Sequence, residues 1–362
     1  MQEQESNRNI ESLINEAIDL LKKLIAVPSI SKEENRSADL IESYFSSKEI
    51  SSQRKGNNIW IKNKYFDLTK PTILLNSHHD TVKPNSGYTL DPFSPIVKDG
   101  KLFGLGSNDA GASLVSLMAT FLYYYQEENL AYNIIYTATA EEEISGAKGV
   151  ESILNELGEI DFAIVGEPTQ MNLAIAEKGL LVLDCLSKGQ AGHAARNEGE
   201  NAIYKSLKDI EWFRDFEFQK VSETLGKVKM NVTMISAGTQ HNMIPDECKF
   251  TVDIRVTDAY THEEIISIIK QHVSCVIIPR SLRLKPSSIN INHPIVVAGI
   301  NLRRTVFGSP TTSDEALMPF TSVKIGPGDS ARSHTADEFI FVDEIEQGIK
   351  IYIQLLDQMI KE

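Results

Sequence analysis

Five separated positions carry side chains that bind metals or move protons, and each follows an apolar, strand-like run. His78 and Asp80 lie in SHHDTV, directly after PTILLN. Asp109 lies in the Gly-rich stretch GLGSNDAGAS, and Glu141, Glu142 and Glu143 follow NIIYTATA. Glu167 follows FAIV inside GEPT, and His334 closes VKIGPGDSARS. Two imidazoles and several carboxylates form a mixed nitrogen and oxygen donor set that suits zinc, cobalt or manganese. A carboxylate near a ligating His also orients its ring. Taken singly, each feature has a bland reading. A His after a strand is commonly structural, a Glu triple at a helix start favours the helix dipole, and GEPT is a turn. The ordered set, each member at a strand end, is what points to one site. His78 and Asp80 are two apart, so on an extended segment they point the same way and His79 points the other. His79 is therefore expected to be structural.

The elements that must position these residues alternate between strand and helix. Apolar residues recur at helical spacing from Ile10 to Leu24. A second helix is expected over 37–45, a long apolar helix over 111–125, and another over 146–157. Strands are expected over 59–61, 72–76, 133–139 and 162–165. This order predicts an α/β fold, a sheet with helices on both faces. In such sheets, ligands bind outside the carboxyl ends of the strands, where the ionisable residues fall. From about residue 179 the pattern becomes β-α-β-β-α-β, ending near residue 284, a split βαβ or ferredoxin-like α+β domain. The α/β signal then returns at 323–325 and in a terminal helix carrying Ile345, Ile349, Ile353 and Leu356. The expected organisation is a domain of 1–178 and 287–362 with an inserted domain of 179–286.

The chain has 362 residues, enough for about two domains. Its formal net charge of −14 disfavours nucleic acid and anionic membranes as partners. The polar opening MQEQESNRNI lacks a signal-peptide design, and no apolar run approaches the roughly 18 residues of a membrane span. Cys185, Cys248 and Cys275 are odd in number and widely spaced, which argues against a disulfide framework or a Cys-rich zinc site. Buried free thiols and a cytoplasmic location are expected.

The motifs in their order are His-x-Asp, an Asp in a Gly-rich loop, a Glu-Glu pair, an acidic residue before Pro-Thr, and a C-terminal His. In this the sequence resembles the acetylornithine deacetylase / succinyl-diaminopimelate desuccinylase / aminoacylase family of two-zinc amidohydrolases, over nearly the whole chain. The resemblance implies a zinc-peptidase-like catalytic domain, with a mixed central sheet and helices on both faces, and an inserted ferredoxin-like lid that commonly makes a homodimer. It implies two divalent ions, zinc with cobalt or manganese as alternatives. One would be held by His78 and Glu167 and the other by Glu143 and His334, with Asp109 bridging them. Asp80 would accept a hydrogen bond from the His78 ring. The family usually reads Asp-Glu-Glu after Thr-Ala, so Glu141 takes the Asp place, Glu142 becomes the general base and Glu143 the ligand. A shift of one within the triple is the alternative. His193, in GQAGHAAR, matches the lid histidine that stabilises the oxyanion from the partner subunit. Asn242 and Arg255 match residues that grip the substrate carboxylate, and Gly328 matches a loop lining the acyl pocket. The usual Arg of the Gly-rich loop is Leu105 here, the usual Lys-Gly after the bridging Asp is replaced by Ala110-Gly111-Ala112, and Ser333 stands where Ala is frequent. These departures touch no expected ligand, and they leave the acyl group open.

The expected activity is removal of a short acyl group from an N-acyl amino acid, acetylornithine first, which would place it in arginine biosynthesis. Acetylcitrulline, succinylornithine and succinyl-diaminopimelate are the alternatives. A dipeptidase or carboxypeptidase of the same family is the rival enzyme. A metal- or amino-acid-binding protein without turnover is the rival from another class.

Overall fold

The computed structural model describes residues 2–196 and 198–361, with side chains from Ile10 onward, so most of the polar opening run lies outside the described side chains. The chain divides into two compact units. Met1–Ile175, Ser288–Phe307 and Ser313–Glu362 form the first, and Ala176–Ser287 with Gly308–Thr312 form the second.

The first unit is built on a mixed sheet. Its strands run in the order Gln53–Lys55, Asn58–Lys62, Asn133–Thr139, Thr72–His78, Phe162–Val165, Thr321–Lys324 and Leu173–Glu177. The middle four are mutually parallel, and the flanking strands are antiparallel. Strands buried on both faces read as continuous apolar runs, and here the two faces separate by residue parity. Ile73, Leu75, Ile134, Tyr136, Phe162 and Ile164 join the larger core. Leu74, Ile135, Ala163 and Val165 face Ile153, Leu157 and Ile160 on the other side. The larger core is covered by Gln2–Ile25, Asn35–Ser46, Ala112–Tyr124 and Val342–Ile360, whose buried residues include Leu21, Phe45, Phe121 and Leu356. Each such side chain taken fully out of water contributes about 1.5–3 kcal/mol. Registers place His78 opposite Thr139 and Asn76 opposite Val165, so the parallel strands end together.

The helix expected over 146–157 is instead a single 3₁₀ turn, Val150–Ser152, and one turn at Leu154–Leu157. Glycine at 146 and 149 weakens helix formation, and Glu141 takes the N–H of Gly146 on its carbonyl at 2.8 Å and that of Lys148 on its carboxylate at 3.4 Å. Several elements lie outside those expected, among them the strands Gln53–Lys55, Leu173–Glu177 and Val306–Ser309 and two others. One is the helix Pro294–Asn301, with proline in its first turn. The other is the hairpin of Ile96–Lys98 and Lys101–Phe103, which Phe339–Phe341 extends to three strands.

The second unit carries an antiparallel sheet in the order Lys229–Ala237, Glu247–Val256, Gly179–Lys188, Val276–Pro279. With Ala202–Asp215 and His262–His272 this is the split βαβ arrangement. Leu181, Leu183 and Cys185 alternate into a core with Phe213, Ile265 and Ile269. The three cysteines are free and buried. Gly308–Thr312 joins this unit because Lys178 donates its N–H to Ser309 and accepts the Thr312 hydroxyl. Among the described residues no helix is long and apolar enough to cross a membrane.

Candidate metal centre

The four parallel strands deliver their following residues to one edge of the sheet. His78 ends its strand and is 1% exposed, held on the face set by its even parity. Asp109 sits in a loop that only glycine can build. Gly106 has φ +75, and a Cβ there would lie 2.5 Å from Thr81. The peptide joining Asp109 to Ala110 is cis. Glu142 and Glu143 open a 3₁₀ turn after Asn133–Thr139. Glu167 follows Phe162–Val165 by two residues, and His334 adopts φ +60.

Two groups of donor atoms result, each with all members within 4.8 Å of one another. They are His78, Asp109 and Glu167, and Asp109, Glu143 and His334. His78 Nε2 lies 3.4 Å from Asp109 Oδ1 and 3.7 Å from Glu167 Oε1. His334 Nε2 lies 3.5 Å from Asp109 Oδ2 and 2.9 Å from Glu143 Oε2. Ligands about 2.0–2.2 Å from a tetrahedral ion stand roughly 3.3–3.6 Å apart, which the two imidazole-to-Asp109 spacings of 3.4 and 3.5 Å match, while His334 and Glu143 are in direct hydrogen-bond contact. Glu142 belongs to neither group, and its Oε2 is 3.9 Å from His78 Nε2.

The electrostatics describe a site crowded with acid. Burial, together with Glu167, Asp314 and Glu143, pushes the Glu142 carboxyl well above the usual range, against the pull of His78. Burial and Asp109 push Glu167 up to about 8 although His78 and Lys324 oppose them. Burial opposes a charged His78 ring, yet Glu142, Asp109, Asp80 and Glu167 outweigh it and raise its pKa. The hydrogen bond to Glu143 lifts His334 to about 9. A cation in each group would reverse this environment for every carboxylate around it.

Asp80 ties two strand ends together. Its carboxylate accepts Ser31 Oγ at 2.6 Å and the N–H groups of Glu142 at 3.0 Å and Glu143 at 3.3 Å. His78 Nδ1 lies 3.0 Å from the Asp80 carbonyl and 3.5 Å from its Oδ1, so the backbone shares the orienting role with the carboxylate. Glu141 points away from the donors, toward the N–H of Lys148.

Of the remaining candidates, one borders Asn108 and three belong to the second unit. Gly328, at φ +93, turns against Asn108 Oδ1. His193 and Asn242 share one ribbon of the second unit, in which His193 pairs with Met243 and the N–H of Ala194 reaches the Asn242 carbonyl at 3.0 Å. The His193 ring is exposed, with Nδ1 accepting the N–H of Ala195 at 3.1 Å. Arg255, also in the second unit, is already forked onto Asp253 at 2.9 and 3.2 Å. Sequence reasoning missed Asp314, Asn108 and Glu338, all buried beside the site. The one available signal was that Asn108 adjoins Asp109 and Glu338 follows His334 by four residues.

A family model described as Peptidase family M20/M25/M40 matches residues 74–358. The LysW-lysine/LysW-ornithine hydrolase of Sulfurisphaera tokodaii is 26% identical over 352 residues, covering 94% of this chain and 95% of that protein. The acetylornithine deacetylase of Proteus mirabilis is 27% identical over 373 residues, covering 94% and 96%. The crystal structure of aminopeptidase PepT from Bacillus cereus superposes with a TM-score of 0.78 at 18% identity, covering 96% of this chain and 98% of the other, which speaks to the fold.

Proposed function

The chain belongs to peptidase family M20/M25/M40, hydrolases of amide bonds, and on that premise we propose that it removes a short acyl group from an N-acyl amino acid. The observation that carries this reading is Asp109 shared between two donor groups, with the separate carboxyl of Glu142 beside them. His78 and Glu167 would hold one divalent ion, Glu143 and His334 the other, and Asp109 both. Zinc suits the donor set best, with cobalt and manganese as alternatives. Such ions, when bound, would supply Lewis acidity, lowering the pKa of a water toward about 7 and polarising an amide carbonyl. Glu142 accepts a proton on its carboxylate and returns it to the departing amine nitrogen. Asp80 holds the backbone of Glu142 and Glu143 against the strand that carries His78.

His193 donates to the developing oxyanion. Asn242 and Arg255 receive the substrate carboxylate, for which Arg255 exchanges its fork from Asp253, and Gly328 contributes to the wall of the acyl pocket. The second unit forms a homodimer and presents His193 to the partner's site. In support, its edge strand Lys229–Ala237 exposes Met234 at 63% and Ile235 at 58%, and an apolar exposed edge invites pairing with another chain. Acetylornithine is the first candidate substrate, in keeping with the Proteus mirabilis relative, and would place the protein in cytoplasmic arginine biosynthesis. Acetylcitrulline, succinylornithine and succinyl-diaminopimelate follow.

The test is a ranking of kcat/KM for the zinc- or cobalt-loaded protein on acetyl, succinyl and formyl amino acids and on free dipeptides. Acyl amino acids leading the ranking is the expected result. Turnover of dipeptides alone would replace the reading with a peptidase. Bound metal with no hydrolysis of any member would leave a binding protein.

A further inference from the structure

His78 and His334 are placed by different means. His78 ends a central strand and is 1% exposed, so the sheet and its packing fix the ring. The His334 side chain is 54% exposed and has φ +60, outside any helix or strand. Packing covers less than half of it, and its ring meets Glu143 at 2.9 Å.

Both flanks of His334 are tied to the loop that carries Asp109, forming a clamp. Before His334, Asn108 is fully buried and grips the turn. Its Oδ1 accepts the N–H of Asp329 at 3.0 Å, and its Nδ2 donates to the Asp329 carbonyl at 3.1 Å and to Ser333 Oγ at 3.3 Å. The turn comes this close because Gly328 has no side chain, since a Cβ there would lie 2.5 Å from Asn108 Oδ1. After it, Glu338 is 1% exposed and reaches back to the same loop. Its Oε1 accepts the N–H of Asn108 at 2.8 Å and of Asp109 at 3.0 Å, and its carbonyl accepts the N–H of Gly104 at 2.9 Å. None of these contacts uses a donor atom of the two metal groups, so the clamp is free to act on the groups without joining them.

We infer that Glu338, with Asn108, is a positioning residue that sets His334 against Asp109, so that it governs the affinity of the Asp109–Glu143–His334 cation group more than that of the His78 group, which shares Asp109 but takes its imidazole from the sheet. This rests on the two-ion reading above. Partners one step removed from a ligand typically govern metal affinity by about 10–100-fold.

The test is zinc binding to metal-stripped full-length protein, followed by calorimetry and by metal content after dialysis. The wild type binds two equivalents. Glu338→Leu keeps one tight equivalent and weakens the other by about 10–100-fold. Asn108→Ala, cutting the other flank, shows the same selective loss. Glu338→Gln retains an amide oxygen for the two N–H groups and recovers much of the second equivalent. A purely structural residue would lower Tm and leave the ratio of the two affinities unchanged. An unchanged ratio in Glu338→Leu and Asn108→Ala, whether both affinities hold or both fall together, overturns the clamp alone. A wild type that binds no more than one equivalent overturns the two-ion reading, and the clamp with it.

Discussion

His78 and His79 are neighbours in the chain, yet their rings serve different parts of the molecule. His78 Nε2 faces Asp109 and Glu167 at the strand end. The His79 ring turns to the opposite side, where Nδ1 meets Ser37 Oγ at 2.9 Å and Nε2 meets the Asn57 carbonyl at 2.8 Å. Burial holds its pKa below the usual imidazole value. Strand parity is the cause, since successive side chains leave opposite faces, and Ser37 belongs to the helix covering the larger core.

Replacing the two rings should therefore separate metal binding from stability. His78→Ala is expected to lose metal. His79→Ala is expected to keep it while losing about 1–3 kcal/mol, the cost of leaving buried partners unsatisfied. Metal analysis and denaturant unfolding of both variants check this, and equal metal loss in the two would remove the distinction.

Glu142→Ala should bind two equivalents of metal and lose at least about 10²-fold in kcat, the lower range for a general base. Near-normal turnover would move that role to another residue of the triple.

Asp314 is fully buried, and its Oδ2 takes the amide of Asn76 at 2.9 Å and the hydroxyl of Thr139 at 2.6 Å. It joins two parallel strands just before they release His78 and Glu142. Asp314→Ala orphans both donors, at about 1–3 kcal/mol each. A thermal melt unchanged from wild type would show that other groups or water take up the slack.

Metal uptake should strengthen with pH. In the metal-free protein His334 has a pKa near 9 and Glu167 near 8, both raised in the folded state. Below those values the groups carry protons that an ion must displace, so binding releases protons. Affinity therefore rises from pH 6 toward pH 9. Calorimetry in buffers of different ionisation enthalpy counts the protons, and a pH-independent affinity would contradict the assignment.

His193→Ala should lower kcat and leave metal content unchanged. Mixing it with Arg255→Ala subunits tests whether a dimer shares the site. If the two residues serve different sites, activity returns in the mixture, and its absence would put both at one site.

The central sheet and the donor types could be read from the chain because both are local patterns. Continuous apolar runs such as 73–75 and 162–165 state that both faces are buried, and a spacing of two states that His78 and Asp80 share a side. Tertiary structure alone decided which distant groups meet. Glu338 and Asp314 look like surface acids in the sequence, and nothing nearby in the chain says they are desolvated. Their partners lie 230 and 238 residues away. The failed helix over 146–157 has the same origin, because its amides are captured by Glu141 rather than by the next turn. Arg255 is another case, since a fork that reads as available for substrate is held by Asp253 once the strand is extended. Periodicity reports how a segment meets water, whereas a hydrogen bond between remote loops depends on a backbone path that only the folded chain defines.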